Sequence, residues 1–249
     1  MTFLGDHKQL PPVCAMNSED FTVPRHQSVI IWRKSAMFCD AMFKLSQDDF
    51  QPLCLRTDDP PLSTTKQADL TETHRFGQNL ADILSRCVYD DKPLKSVAKH
   101  GDLKVVVIDA PLRQPPANRH ENLSECTAIR QYLEEMQSSE KQGDEAYAIL
   151  TPYKKQVALL YHTIPTVRRE RRAMVIHKSQ GREWDTVLLS VVDGPWNPPW
   201  FTDSRRAESL RVLNTAVSRA RKSLVIVCNR TFWEQHPEQL ITRLIRLAG

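Results

Sequence analysis

Five short apolar runs, each separated from the next by a helical or loop segment, constrain the fold more than any other feature of this sequence. They are rich in β-branched residues and occupy residues 103–108 (LKVVVI), 146–150 (AYAIL), 174–176 (MVI), 187–192 (VLLSVV) and 224–228 (LVIVC). Near-continuous apolar runs of this length are typical of strands that are covered on both faces of a parallel sheet. The pattern therefore predicts an α/β domain.

Helical spacing of apolar residues is found between several of these runs and supports the same class. Ser124 is expected to cap a helix that reaches about Gln137, and Thr151-Pro152 is a start signal for another. Two further helices are predicted from apolar stripes, one at Leu80, Ile83, Leu84, Cys87 and Val88, the other at Leu213, Ala216, Val217 and Ala220. Strands that alternate with helices favour an α/β domain over residues 68–249.

The first 67 residues have mixed apolar clusters and a loop-like PLCLRTDDPPLSTT stretch, so they differ from the rest of the chain. We interpret residues 1–24 as the remnant of a preceding domain and residues 25–67 as a connecting segment. The six cysteines form no C-x-x-C pair, which argues against a zinc framework and a redox dithiol. No apolar run approaches the ~20 residues of a membrane helix, and no signal peptide begins the chain, so a cytoplasmic protein is expected.

With 34 Lys+Arg against 30 Asp+Glu, the net charge of +4 permits a polyanionic partner without requiring one. The placement of polar residues is more informative, because open α/β sheets bind ligands at the ends of their strands. Five polar segments lie at such positions: GDHKQLPP (5–12), THRFG (73–77), TPYKKQ (151–156), HKSQGREWD (177–185) and LNTAVSRARKSL (213–224).

Each segment has a possible chemistry and a plainer alternative. The Gln9 amide can bond a phosphate or water, and Arg75 offers a planar fork that suits phosphate. Tyr153 could meet a base, Gly181 permits close backbone approach, and Glu183 can accept bonds from ribose hydroxyls. The alternatives are a surface turn for residues 5–12, an ordinary ion pair for Arg75 and a solvated helix face for residues 213–224.

Taken in order along the chain, the five segments resemble the motifs of superfamily 1 helicases. The resemblance is to the group that contains the nonsense-mediated-decay RNA helicase and the nuclease-helicase of Okazaki-fragment processing. GDHKQLPP resembles motif III, LTETHRFGQNLADILSRCVYDDKPL motif IV, ILTPYKKQ the TPY motif, VIHKSQGREWD motif V and RVLNTAVSRAR motif VI. The resemblance implies that this chain forms the second domain of such a helicase. That domain would be a RecA-like parallel sheet of the P-loop NTPase type with helices on both faces.

The resemblance also implies roles at a nucleotide site. Gln9 would sense the γ-phosphate of ATP, and Arg75 and Arg219 would neutralise charge on the transferred phosphoryl group. The nucleotide site would further include Gly181, Glu183 and Asp6. Val175 stands where the family often has Thr, and Ser218 replaces the usual Thr of motif VI.

A second set of residues would lie on or near the track of single-stranded DNA or RNA, according to the same resemblance. They are Thr151, Tyr153, His177, Lys178 and Ser179. Backbone contacts of this kind give binding that is independent of sequence and sensitive to salt. Nothing in the sequence separates DNA from RNA, and a 5′-to-3′ polarity is expected from the resemblance only.

The motifs that hold ATP and Mg²⁺ in the first helicase domain are not found in these 249 residues. There is no GK[ST] tripeptide, and the Asp-Glu-Ala at 144–146 precedes an apolar strand instead of following one. We therefore expect the C-terminal portion of an ATP-dependent helicase that works with a P-loop domain and does not turn over ATP alone. Two alternatives stay open: a non-catalytic single-strand-binding module and an inert truncated fragment.

Two further segments also allow two interpretations. The VRRERRA stretch at 167–173 could lie along nucleic acid or form a solvated connector. The GPWNPPWF loop at 194–201 could stack its aromatic rings on bases, or use those rings to pin the loop to its own domain.

Overall fold

The computed structural model describes residues 8–9, 71–138 and 146–248. The chain divides into two compact units, residues 1–70 and residues 71–249, and almost all described residues belong to the second. Asp6 lies outside the described residues. Lys8 and Gln9 are the described part of the proposed segment 1–24, and none of segment 25–67 is described. The proposed division into three segments therefore stays a prediction.

The described part of the second unit begins with a small α/β element. Strands β1 (Glu72–Thr73) and β2 (Lys95–Ser96) pair in parallel, and helix α1 (Gln78–Cys87) lies between them in the chain. Leu80 and Leu84 of the predicted stripe are buried in α1 together with Ala81, while Ile83 and Cys87 of that stripe are half-buried. This element carries the THRFG segment, which joins β1 to α1.

Five parallel strands form the main sheet of the described residues. They are β3 (Lys104–Asp109), β4 (Tyr147–Thr151), β5 (Ala173–Val175), β6 (Trp184–Ser190) and β7 (Ala220–Cys228). Their order is β3-β7-β6-β4-β5, and Leu188 in β6 pairs with Ile149 on one side and Val225 on the other. The prediction of an α/β fold with a parallel sheet is confirmed.

Helices cover both faces of this sheet. Helices α2 (Leu123–Ser138), α3 (Lys154–Thr163) and α4 (Pro165–Glu170) pack on one face, where their apolar residues join Ile149, Leu188 and Val225 in one core. Side chains alternate along a strand, so Leu150 and Leu189 point to the opposite face, where they are also fully buried. Helices α5 (Ala207–Val217) and α7 (Leu240–Ile245) contact the strands there, and α6 is Arg230–Glu234.

Three local predictions about helix ends are wrong. Asn122, not Ser124, caps α2, because its Oδ1 accepts the Glu125 N–H at 3.0 Å. Thr151 ends β4 and makes no cap for α3, which begins only at Lys154. A helix was expected to continue through Ala220, but α5 ends at Val217 and Ala220 begins β7.

The end of α5 changes the environment of residues 213–224. A solvated helix face was the plainer alternative for this segment, yet the exposed fractions of Asn214, Ser218 and Arg219 are 0%, 1% and 5%. The segment between α5 and β7 leads directly into a strand that is flanked by β3 and β6, so its side chains have little solvent contact in this conformation. No glycine or proline marks this helix end, which is why apolar spacing alone could not locate it.

Leu188 is expected to be among the most sensitive positions for stability. It is fully buried at the middle of the central strand β6, so Leu188→Ala is expected to lower the free energy of unfolding by about 2–5 kcal/mol. Urea unfolding followed by circular dichroism measures the change. Leu123→Ala is the matched control, since Leu123 is 56% exposed and a change within about 0.5 kcal/mol is expected. A loss at Leu188 below about 1 kcal/mol would contradict the packing described here.

Among the described residues, no helix has the length and apolar character that a membrane span requires.

Candidate functional site

The parallel sheet separates the predicted site residues into two groups. All strand beginnings lie at one edge, here called the amino edge, and all strand ends lie at the other, the carboxyl edge. Gly181 and Glu183 precede β6, and Arg219 precedes β7, so these residues lie at the amino edge. The predicted nucleic-acid residues follow β4 and β5 and lie at the carboxyl edge. The two predicted functions therefore occupy opposite edges of one sheet.

Arg75 reaches the amino edge from the small element that contains α1. Its Nε donates to Glu183 Oε1 at 2.7 Å, and its Nη1 donates to the Ser218 carbonyl at 3.3 Å. The side chains of Arg75 and Glu183 are 30% and 41% exposed. An ion pair with this much solvent contact contributes at most about 1 kcal/mol to stability, so Arg75 can exchange Glu183 for another anion at small cost.

Arg219 is more tightly held than Arg75. Its Nε donates to the Thr215 carbonyl at 3.2 Å, and its Nη1 donates to the Arg182 carbonyl at 3.4 Å. The Arg219 carbonyl in turn accepts the Trp184 N–H at 3.1 Å. These bonds tie the beginnings of β6 and β7 together, and they place Arg219 beside the segment that carries Glu183. The structure thus brings Arg75, Glu183 and Arg219 into one cluster, which we call the arginine cluster.

Two glycines shape the segments around this cluster for different reasons. Gly181 has a φ of +74°, and a Cβ placed there would meet no atom within 4 Å. Backbone conformation, and not crowding within this chain, is what requires glycine at that position. At Gly77, a Cβ would come within 2.4 Å of the Asp102 Cα, so close backbone packing requires glycine there and fixes the THRFG turn against the start of β3.

Gln9 belongs to the first unit, where it lies half-buried in a bend and has its own interactions. Its role as a γ-phosphate sensor stays a prediction.

At the carboxyl edge, three of the five predicted nucleic-acid residues are buried. Thr151 and Ser179 are fully buried, and the Ser179 hydroxyl donates to the Ile176 carbonyl at 2.6 Å. Tyr153 is 5% exposed. His177 and Lys178, by contrast, are exposed on the short 3₁₀ turn that follows β5. Of this group, His177 and Lys178 can therefore present side chains to a ligand.

The ring of Tyr153 already has protein partners on several sides. Its hydroxyl donates to Asp193 Oδ1 at 2.6 Å, and the His120 ring stacks on it at 4.3 Å with an interplanar angle of 16°. Phe201 contacts it edge-on at 5.7 Å. In this conformation Tyr153 positions the carboxyl edge and does not offer its ring to a base.

Residues of the aromatic loop 194–201 fit both interpretations given for it, pinning the loop to its own domain and facing outward toward bases. Phe201 pins the loop by packing against Tyr153. Trp196 and Trp200 remain 47% and 51% exposed, and the Arg206 guanidinium lies 3.6 Å from the centre of the Trp200 ring. One aromatic residue therefore anchors the loop while two face solvent.

The arginine-rich segment 167–173 likewise contains one arginine held by the domain and three that are exposed. Arg172 is held by Glu170 at 3.2 Å and by the Tyr147 ring and carbonyl, so it belongs to the domain surface. Arg168, Arg169 and Arg171 are exposed.

Sequence reasoning missed a buried polar network beneath the carboxyl edge. Glu125 is completely buried and accepts the Val192 N–H at 2.8 Å, the Ser190 hydroxyl at 2.6 Å and the Asn122 amide at 3.0 Å. Burial raises the pKa of Glu125 to about 8, although these hydrogen bonds oppose the shift. In the sequence, Glu125 looks like an ordinary acidic residue in the first turn of a helix, so no local signal could reveal it.

The same network controls the backbone that leaves β6. Val192 has a φ of +69°, which is rare for a β-branched residue, and its N–H is held by Glu125. Asp193 follows and accepts hydrogen bonds from Tyr153, Thr202 and the Trp200 N–H. Burial raises the pKa of Asp193 to about 6. Glu125 and Asp193 thus link the end of the central strand to the aromatic loop.

Cationic side chains act on two histidines at this edge. Partial desolvation and the charges of Arg119 and Lys155 lower the pKa of His120. Partial desolvation and the charge of Lys154 lower the pKa of His177.

Across the described ranges, no group of three or more His, Cys, Asp or Glu side chains is arranged to hold a metal ion.

Comparisons with known proteins identify the family of this chain. The AAA domain family matches residues 50–231. A DNA replication ATP-dependent helicase/nuclease of Arabidopsis thaliana is 33% identical over 110 residues, which make up 44% of this chain and 8% of that protein. The chain thus spans less than a tenth of the plant relative's length.

Solved helicase structures also resemble this chain at low sequence identity. The helicase of PRRSV is 21% identical with a TM-score of 0.35, covering 68% of this chain and 25% of that one. An arterivirus nonstructural protein 10 helicase, solved in complex with DNA, is 17% identical with a TM-score of 0.36, covering 69% and 28%. The C-terminal domain of a possible DNA helicase from Lactobacillus plantarum WCFS1 is 18% identical with a TM-score of 0.38, covering 63% and 87%.

Proposed function

Because this chain belongs to the AAA domain family and corresponds to the C-terminal part of a superfamily 1 helicase, we propose that it supplies one half of an ATP site and part of a single-strand track. In the intact protein, these would serve ATP-driven translocation on, and unwinding of, DNA or RNA. The single observation that carries the proposal is the arginine cluster. It joins Arg75, Glu183 and Arg219 from three distant parts of the sequence at one edge of the sheet.

The chemistry of the arginine cluster fits a nucleoside triphosphate. Arg75 and Arg219 bring guanidinium groups to the same edge of the sheet, and guanidinium forks match the oxygen geometry of phosphate. Glu183 is exposed enough to accept hydrogen bonds from ribose hydroxyls. ATP, bound with Mg²⁺, supplies the free energy for translocation through cleavage of its terminal phosphoanhydride bond.

Each residue of the cluster then has a distinct task. Arg75 would leave Glu183 for a phosphate oxygen, which the weak solvent-exposed pair permits. Arg219 is pre-positioned by the Thr215 and Arg182 carbonyls, so its charge would need little reorganisation. Glu183, released by Arg75, would turn to the ribose. Gly181 supports the left-handed turn that carries Glu183 to this edge.

A P-loop lysine and Mg²⁺ ligands are needed to complete such a site, and we propose that another domain provides them. Phosphoryl transfer depends on charges placed around the β- and γ-phosphates, so the 249 residues alone are expected not to turn over ATP. A non-catalytic single-strand-binding module is the second candidate, favoured by the basic, partly aromatic carboxyl edge. An inert fragment is the third.

The test is ATP hydrolysis by the purified chain, with and without single-stranded DNA and RNA, alongside strand binding by fluorescence anisotropy. We expect no turnover and salt-sensitive binding of single strands. Arg219→Ala distinguishes genuine turnover from a contaminating ATPase. Turnover that Arg219→Ala abolishes would contradict the half-site proposal, and absence of strand binding would contradict the proposed track.

A further inference from the structure

Trp196 and Trp200 are the feature of the carboxyl edge that the proposed function leaves unexplained. With Leu123, they are the large apolar side chains that stay exposed among the described residues, and both lie in the loop that follows β6. Indole rings are large and apolar, and a folded domain normally buries most of their surface, as it does for the fully buried Trp233. Two half-exposed rings in one eight-residue loop therefore point to a binding surface.

The backbone of this loop is firmly held beneath the exposed rings. The Trp200 N–H donates to Asp193 Oδ2 at 3.3 Å, and the Trp200 carbonyl accepts the Ser209 hydroxyl at 2.6 Å. Asn197 accepts the His120 N–H at 3.1 Å and donates to the Glu121 carbonyl at 3.3 Å. The Trp196 Nε1 donates to the Leu112 carbonyl at 3.3 Å. The rings are thus displayed on a fixed support, which reduces the entropy lost on binding.

Cationic groups lie close to the rings. The Arg206 guanidinium lies 3.6 Å from the centre of the Trp200 ring. Arg119 and Lys155 act electrostatically on His120, whose ring stacks on Tyr153 next to the loop anchor Phe201. Aromatic faces interleaved with basic groups are the chemistry by which proteins hold single strands, because bases stack on the rings while cations track the phosphates.

We propose that Trp196 and Trp200 form a stacking platform for the bases of single-stranded nucleic acid. The proposal rests on the proposed function and extends the track along the carboxyl edge. Trp196 lies near the ends of β3 and β7, whereas His177 and Lys178 follow β5 at the far side of the sheet. A strand that crosses the whole edge would meet the exposed Lys178 ammonium and His177 ring at one end and the exposed indoles at the other. Stacking makes this platform tolerant of sequence.

The experiment uses the full 249-residue chain and fluorescein-labelled (dT)20 and (U)20 in an anisotropy titration. Trp196→Ala and Trp200→Ala are each expected to weaken binding by about 5- to 100-fold, since one stacked base is lost in each case. Trp200→Phe keeps an aromatic face and is expected to retain most of the affinity. Leu123→Ala removes the other exposed apolar side chain and is expected to leave affinity unchanged.

Two further measurements separate stacking from general effects. The slope of log affinity against log salt is expected to be the same in Trp200→Ala and the unsubstituted chain, because no phosphate contact is removed. With a strand whose bases are missing, Trp200→Ala is expected to cause no further loss. Thermal unfolding of each variant verifies that the fold persists.

The outcomes distinguish this platform from the track itself. If the unsubstituted chain binds strands and both alanine variants bind them with the same affinity, the stacking platform is overturned. The rings would then serve another partner such as a protein, and the proposed function would stand. If Trp200→Ala weakens binding to base-free and ordinary strands equally, stacking is overturned as the cause. If the unsubstituted chain binds no strand, the proposed track and the platform fall together.

Discussion

Arg219→Ala is expected to lower the ATP turnover number of an intact helicase that carries this chain by about 10³-fold or more. The proposed role of Arg219 is to neutralise charge that develops on the transferred phosphoryl group. That interaction strengthens in the transition state, so its loss lowers kcat while the KM for ATP changes little. Phosphate release at saturating ATP and single-stranded nucleic acid measures the effect. Arg219→Lys keeps the charge but not the planar fork and is expected to recover only part of the rate.

The control has to separate catalysis from folding, because Arg219 also bonds the Thr215 and Arg182 carbonyls. The unfolding midpoint of each variant gives that separation, since a purely structural role would lower the midpoint and turnover together. Arg130→Ala is the matched arginine variant, because Arg130 lies half-exposed on α2 beside Glu134. Its turnover is expected to match that of the parent protein. Turnover of Arg219→Ala within a few-fold of the parent would contradict the assignment.

The free energy of unfolding is expected to fall steeply as the pH rises from about 5 to 8. Burial raises the pKa of Glu125 from its ordinary value of 4.5 to about 8, so between these values the unfolded state has lost a proton that the folded state retains. The free energy of unfolding falls with rising pH wherever the folded state binds more protons than the unfolded state. The slope is up to about 1.4 kcal/mol per pH unit for one group. Asp193, whose pKa rises to about 6, adds to the decline in the lower part of this range.

Glu125→Gln tests the source of this pH dependence. The amide keeps the shape of the protonated carboxyl and an oxygen to accept the Val192 N–H, but it has no proton to lose. Urea unfolding at pH 5, 6, 7 and 8 is expected to give similar stabilities for both proteins at pH 5 and a more stable variant at pH 8. Glu134→Gln, on the exposed side of α2, is the matched control and is expected to leave the slope unchanged. Equal slopes in Glu125→Gln and the parent would contradict the assignment.

Local sequence patterns predicted the strands well, because the burial of each strand agrees with its apolar sequence. The five apolar runs became β3 to β7 with shifts of a few residues, because strands that are buried on both faces need continuous apolar sequence. Helix ends were harder to predict. Asn122 replaced Ser124 as the cap of α2, and α5 stopped before Ser218, since tertiary hydrogen bonds and strand pairing outweighed local propensity.

The predicted site divides in the same way. Arg75, Glu183 and Arg219 were singled out from separate motifs, and they meet in one cluster. Tyr153 could meet a base by its place in the sequence, and in this conformation its ring packs against His120 and Phe201. Glu125 was passed over, because a lone acid in the first turn of a helix has no sequence mark that distinguishes burial from exposure. Likewise, no local pattern distinguishes Phe201, which packs on Tyr153, from Trp196 and Trp200, which stay exposed in the same loop.

Local sequence patterns are sufficient to predict the α/β class, because alternation of apolar runs and helical stripes is a short-range property that each segment carries independently. They also show which residue types can bind phosphate. The neighbouring positions of β6 and β7 depend on the fold, and with that strand order Glu183 and Arg219 share an edge that Arg75 reaches from another element. Pairing order and burial depend on contacts between residues far apart in the chain, and no local pattern encodes those contacts.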